Sequence, residues 1–287
     1  MSTDAVGHML FVRHLESWLP AALRRVRRAT VALGYDGVDP RPAAETLRVA
    51  GEHAGRLRNC RLTVLVLADG SEELPTRLGA AEARLPPEVA VHLMPGPPSR
   101  LPVALRAAGA AGAPVLSYLE AVDTVDPVAL CAAAAGRHAE ALVLAGAGTP
   151  LRPALADAGF PLATDVELAD AGRRIGFGTG SDRSLETMKE SLWAAGVRYR
   201  DPHGVPLSPA PEVDPEPLGR ALLAELARQG PRTVTELRRY AVTGTAYRAV
   251  DALRALTVLL DEGQVTREPE HGRLGGDVLV TAARRAV

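Results

Sequence analysis

Glu120 and Asp123 stand three residues apart at the end of an apolar run, placed so that one carboxyl could act as general acid and the other as general base. No histidine or nucleophile sits beside them in the sequence, so an ordinary strand-end turn accounts for them equally well. Asp69 closes the cleanest apolar run, residues 62–68, where an acid would hold the ribose hydroxyls of a nucleoside cofactor. Gly70 and Ser71 behind it also make a plain turn. Asp36 and Gly37, with Asp39 nearby, follow the first apolar run at 29–33. They could touch a cofactor or a cation, or merely cap the next helix. In the C-terminal part, Arg248, Arg254, Arg267 and Arg273 are the candidates for nucleic-acid phosphate.

Other residue types point to less. His8, His14, His53, His92, His138, His203 and His271 are scattered, with none at metal-ligand spacing, so no metal is expected. Cys60 and Cys131 lie far apart without a CxxC and read as two buried thiols in a reducing compartment. Gly176-x-Gly178-x-Gly180 lacks the first-strand context of a nucleotide loop and reads as a turn before a helix. Gly146-Ala147-Gly148 reads as a turn as well.

The elements that must position these residues follow from hydrophobic periodicity. Residues 7–28 form an amphipathic helix, with Arg24, Arg25, Arg27 and Arg28 at the end where cations suit the helix dipole. Short apolar runs at 29–33, 62–68, 89–94, 115–119 and 141–144 then alternate with helical stretches. Runs apolar on both faces, separated by helices, predict a Rossmann-like α/β domain with a doubly wound, mostly parallel sheet. A late strand at 173–178 and a helix at 184–195, capped by Ser181 or Asp182, complete residues 1–205. The proline-rich stretch 206–217 reads as a linker.

Residues 218–287 read as a smaller module. One helix at 218–229 stops at Gly230-Pro231, and Thr233 with Glu236 forms a capping box for a second. A third is predicted over 243–262, followed by strands flanking the glycine-rich turn 272–276. Three helices and a hairpin make the winged-helix pattern. From Glu216 onward, 11 arginines face 9 acids, only mildly basic for a nucleic-acid binder.

The formal net charge of -1 excludes a global field for nucleic acid or anionic membrane. No run is long and charge-free enough to span a bilayer, and a cytoplasmic location is expected. Only 3% of residues are aromatic, so Leu, Val and Ala must fill the core. Against that background residues 176–201 stand apart, because they hold the single lysine, Lys189, beside Met188 and Trp193. Met188 and Trp193 read as core anchors, and Lys189 as half of a buried or interface ion pair.

Met188-Lys189-Glu190 with Leu192-Trp193, and Tyr199-Arg200-Asp201 after them, resemble a run in the three-Cys-motif partner proteins. This bacterial family has a methyltransferase-like domain and a C-terminal winged helix. His14-Leu15-x-x-Trp18-Leu19-Pro20 is similar to its opening helix, and Tyr35-Asp36-Gly37 to the start of its glycine-rich cofactor site. The resemblance implies S-adenosylmethionine as cofactor and a neighbouring three-cysteine protein as partner. Yet Val38-Asp39-Pro40-Arg41-Pro42 replaces the remaining glycines, and the family's aspartate-proline-phenylalanine-glycine run is reduced here to Glu120. Two losses at one end of a sheet favour a non-catalytic descendant acting through a protein partner or self-association. The alternatives are an S-adenosylmethionine-dependent methyltransferase with an atypical loop, and a nucleic-acid binder using the C-terminal module.

Overall fold

Strands β1 (Arg28–Gly34), β2 (Arg61–Leu67), β3 (Val89–Met94), β4 (Val115–Glu120) and β5 (Ala139–Gly146) lie parallel in the order β3-β2-β1-β4-β5. The computed structural model describes residues 3–68, 73–169, 172–200, 203–210 and 213–283. Successive residues serve opposite faces: Val31 and Leu33 join one core, Ala32 the other, as the two-residue period of a strand requires. Beyond β5 the sheet continues through β7 (Arg173–Thr179) and β6 (Leu162–Leu168) to the short β8 (Tyr199–Arg200) and β9 (Pro206–Leu207). Strand β7 runs antiparallel to both β5 and β6. The mostly parallel α/β sheet expected from the sequence is therefore present.

Helices α1 (Thr3–Arg25), α2 (Arg41–Glu52), α3 (Ala54–Leu57), α4 (Glu73–Glu82), α5 (Leu101–Ala107), α6 (Pro127–Ala134), α7 (Leu151–Asp157) and α8 (Asp182–Ala194) wrap the sheet. Side chains of α1, α2, α4 and α8 share the first core; α5, α6 and α7 fill the second. Local chemistry sets the helix starts. Pro42, Pro102 and Pro127 stand in first turns, where a missing N–H costs nothing. Asp126 and Ser181 cap α6 and α8 by accepting from the backbone N–H groups of Val128 and Ser184.

The late strand expected at 173–178 is present as β7, and it replaces the turn read into the glycine run. Gly176 and Gly178 lie inside β7, not in a turn. A Cβ on Gly176 would sit 2.8 Å from Leu151 of α7, and one on Gly178 would sit 2.6 Å from the Phe160 ring. The missing side chains let α7 and Phe160 press onto the sheet. Helix α7 and strand β6 were not anticipated. Cys131 is exposed on α6 and Cys60 half-buried, contrary to the expected pair of buried thiols; α6 is apolar all round, so its outward face carries one.

The C-terminal part holds α9 (Glu216–Gln229), β10 (Arg232–Thr233), α10 (Val234–Gly244), α11 (Ala249–Asp261), β11 (Val265–Glu268) and β12 (Leu279–Ala282), its small sheet ordered β10-β12-β11. The Thr233–Glu236 capping box starts α10. The predicted third helix begins too early: residues 243–244 end α10, and α11 starts only at Ala249. Thr245 makes the break, its hydroxyl donating to the Ala241 carbonyl and accepting from the Tyr247 N–H. The apolar core of this part is continuous with that of the α1–α8 face. Among the described residues no helix is long and apolar enough to cross a membrane, and no group of His, Cys, Asp and Glu is arranged to hold a metal.

Candidate functional site

Connections leave β1 toward β2 on one side, while β4 lies on its other side, so their carboxyl ends form a topological switch point. Such a switch point is where open α/β sheets bind ligands. Gly34 pairs in register with Leu119, which sets Tyr35 beside Glu120 one step further on. Two of the expected groups, Asp36 with Gly37 and Glu120 with Asp123, thus come to adjacent strand ends. Asp69 lies outside the described residues.

Asp36, Asp39 and Glu120 are each held by nearby groups. Asp36 accepts from the Val38 N–H at 2.9 Å, and Gly37 takes φ +77° to close that turn. Asp39 accepts from both the Arg41 backbone N–H (2.9 Å) and its guanidinium (2.7 Å). Burial alone would raise the Asp39 carboxyl, but the Arg41 hydrogen bonds hold it below its ordinary value. Glu120 pairs with Arg173 at 2.7 Å and accepts from the Tyr118 hydroxyl at 3.1 Å. Arg173 also donates to the carbonyls of Ala121 (2.7 Å) and Val122 (3.3 Å), which pins the chain after β4. Asp123 contributes its backbone carbonyl, accepting from the Gly146 N–H (3.0 Å) and the Thr149 hydroxyl (2.7 Å).

Tyr35 is 3% exposed, and its hydroxyl has no hydrogen-bond partner. Burial, then the charges of Asp39, Asp36 and Glu120, push its ionisation up, so it stays neutral. Sequence reasoning placed Tyr35 only within a resemblance and missed Arg173, which comes to Glu120 from a strand far along the chain. The signal available was weak: one arginine at the start of a late apolar run.

The cofactor implied by the resemblance, S-adenosylmethionine, would need free amides in the turn after β1 to hold its carboxylate. Here the amides of Val38 and Arg41 are taken by Asp36 and Asp39, and Pro40 and Pro42 have none. At the end of β1, a Cβ on Gly34 would already meet Leu119 at 3.0 Å and Pro98 at 3.1 Å. Four of the positions in this turn thus offer a cofactor carboxylate no free amide.

A groove of about 520 Å³ runs between α1 and the start of α2, lined by His8, Met9, Val12, Arg13, Arg41 and Glu45 among others. Burial lowers the His8 pKa and keeps the ring neutral, with Nε2 lacking a hydrogen-bond partner.

The conspicuous lysine segment does different work. Lys189 is fully buried and its Nζ donates to the Thr245 carbonyl at 2.8 Å. The Trp193 indole N–H donates to the Ala246 carbonyl at 3.1 Å, and the Tyr199 hydroxyl points to the same oxygen at 3.4 Å. Carbonyls just past the end of α10 thus find donors on α8 and β8, and the lysine charge sits at the negative end of the α10 dipole. Along the edge of this seam, Asp182, Glu186 and Glu190 recur every four residues on α8 and pair with Arg239 (2.7 Å), Arg238 (2.8 Å) and Arg248 (3.4 Å).

Arg248 is taken up there: it stacks over the Trp193 ring at 4.1 Å and pairs with Asp251 at 2.9 Å. Arg254 is exposed, 3.9 Å from Asp251. Arg267 folds onto its own hairpin, donating to the carbonyls of Pro269, Gly272 and Arg273. The Arg273 side chain is exposed. Arg248 and Arg254 thus share the Asp251 carboxylate.

No family model matches the chain, and no curated protein matches it. Solved structures similar to it include a DUF574 family protein from Streptomyces avermitilis, 10% identical over 61% of this chain and 82% of that one, with a TM-score of 0.38. Another is a predicted O-methyltransferase from Agrobacterium tumefaciens, 16% identical over 53% of this chain and 74% of that one, with a TM-score of 0.31.

Proposed function

We propose that this chain is a divergent relative of the three-Cys-motif partner proteins: a methyltransferase-like scaffold with a C-terminal winged-helix domain that works by binding rather than by methyl transfer. The observation that carries the reading is the turn after β1, where Asp36 and Asp39 accept from the amides of Val38 and Arg41 and prolines remove two more. Glu120 supports it, since its carboxylate is paired with Arg173. Calorimetry with S-adenosylmethionine tests it. No heat is expected at millimolar ligand; micromolar binding that is lost in Asp69→Ala would overturn the reading.

The second reading, an S-adenosylmethionine-dependent methyltransferase, is favoured by the sheet itself. The order β3-β2-β1-β4-β5-β7-β6 with β7 reversed suits a methyltransferase-like domain, and its switch point lies where a nucleoside cofactor would bind. The same titration decides between the two. A nucleic-acid role draws less support. The start of the third helix, which a helix-turn-helix presents to base edges, is packed against α8 through Arg248.

A further inference from the structure

Helix α6 has the composition of a helix buried on every side. Its sequence, Pro-Val-Ala-Leu-Cys-Ala-Ala-Ala, holds no charged or hydroxyl group. A helix that is apolar all round belongs inside a larger body. Yet one side alone faces the second core, through Ala129, Leu130 and Ala133. Val128, 54% exposed, and the exposed Cys131 stand three residues apart on the side turned away, and exposed Ala135 continues that line. On neighbouring α5, Val103 is also 54% exposed. Across the sheet the contrast is plain, since α2 is laced with Arg41, Glu45, Arg48 and Glu52.

Two charges flank this strip, and they have opposite signs. The crossovers through α5, α6 and α7 join β3 to β4, β4 to β5 and β5 to β6, all strands of one direction. The three helices therefore run the same way on one face of the sheet, with α6 packed between the other two. Arg106 stands in the last turn of α5 and Asp157 in the last turn of α7, both exposed. They lie at the same end of the layer, one on each side of α6. Arg106 donates to its own helix at the Pro102 carbonyl (3.3 Å), and Asp157 meets no partner among the described residues. At the other end Arg100 and Arg152 are turned to the carbonyls of Pro95 and Thr243.

We propose that two copies of this chain associate through the α5–α6–α7 face, around a twofold axis running along α6. Rotation about that axis lays α6 on its counterpart in the same direction, so Val128 meets Val128 and Cys131 meets Cys131. The same rotation sets α5 of each protomer on α7 of its partner and leaves height along the axis unchanged. Arg106 of one protomer then faces Asp157 of its partner, and the pair occurs twice. Opposite charges at equal height on the two flanks are what select a second copy as the occupant. Eight residues give α6 a length of about 12 Å, and three helices about 10 Å apart make a strip roughly 30 Å wide. Such a strip buries on the order of 1,000 Å² over both protomers, the low end for a specific interface, so the expected dimer is weak and reversible. The inference goes beyond the binding reading above and holds whether or not the chain takes S-adenosylmethionine.

Sedimentation equilibrium of the full chain over about 1–200 μM, the range in which weak pairs form, tests this. A monomer–dimer equilibrium is expected. Val128→Glu, which sets two carboxylates face to face, should weaken it about tenfold or more, and Arg106→Asp several-fold. Adding Asp157→Arg to Arg106→Asp should restore association, because the same pair is rebuilt with its signs exchanged. A short bis-maleimide should join two copies through Cys131 and fail to do so in Cys131→Ser, which keeps Cys60. All four substituted positions are exposed, so the variants are expected to fold, which circular dichroism checks. A chain still monomeric at the top of the range, a dimer indifferent to Val128→Glu, or crosslinking that survives Cys131→Ser would overturn the proposal. So would an exchanged-charge variant that associates no better than Arg106→Asp. Micromolar S-adenosylmethionine binding would overturn the non-catalytic reading and leave this interface standing.

Discussion

The seam between α8 and the C-terminal part and the switch point between β1 and β4 are both polar, but they spend their hydrogen bonds differently. At the seam, donors and acceptors far apart in sequence meet: Lys189 with Thr245, Trp193 with Ala246, Asp182 with Arg239. At the switch point, Asp36 serves Val38 and Asp39 serves Arg41, each two residues away. The first pattern fixes tertiary structure, because removing one partner strands a buried group on another element. The second fixes only the turn after β1, Arg173 reaching Glu120 from far along the chain, and the Tyr35 hydroxyl keeps an unmet bond. The seam joins distant elements, whereas the turn after β1 mainly holds itself.

The largest expected effect lies at the seam. Trp193→Ala removes a buried ring, an indole bond to Ala246 and the platform for Arg248. It should cost about 3–5 kcal/mol, read as a shifted urea midpoint. A loss below about 1 kcal/mol would show that the C-terminal part is not held through this ring. Lys189→Met comes next, keeping the side-chain length while leaving the Thr245 carbonyl without its bond. A loss of about 1–3 kcal/mol is expected. By contrast Asp36→Asn, a surface change in a loop, should stay within about 0.5 kcal/mol. If it cost as much as Lys189→Met, the distinction between the two regions would fail.

How far each region could be read from sequence follows the same division. The parallel strands announced themselves because they are buried on both faces, so apolar runs survive without any partner being known. The capping box at Thr233 and Glu236 was legible because it is closed within four residues. Lys189 stood out by type alone, as the single lysine, though its acceptor 56 residues away could not be read. Glycines at 176 and 178 fell inside the expected late strand but were also read as a turn, because a turn and a close helix approach demand the same residue, and only the position of α7 separates them. The switch-point acids were named, apart from their control by Arg173: that arginine reaches Glu120 across β5, a neighbourhood set by the antiparallel insertion of β7. Helix α11 was started too early because nothing in the local pattern marks Thr245 as the residue that folds back on Ala241.

The smallest effect is the sharpest test of the comparison, because both regions contain a carboxylate held below its ordinary pKa. A hydrogen bond from Arg239 lowers Asp182 at the seam, and those from Arg41 outweigh burial to lower Asp39 at the switch point. A carboxylate depressed in the folded state stabilises fully above its unfolded pKa, about 3.9, and loses that contribution as pH falls through the folded value. Asp182→Asn should therefore cost roughly 0.2–1 kcal/mol at neutral pH, as exposed pairs do, and progressively less as the acid limb is entered. Asp39→Asn should cost less at neutral pH, since a pair two residues apart can persist in the unfolded chain and cancel from the difference. Urea midpoints of the two variants at pH 7 and at about pH 3 separate the cases. Equal losses at pH 7 would mean that the Asp182–Arg239 pair adds nothing by joining distant elements, and an Asp182→Asn loss unchanged at low pH would mean that its carboxylate charge is not what the seam uses.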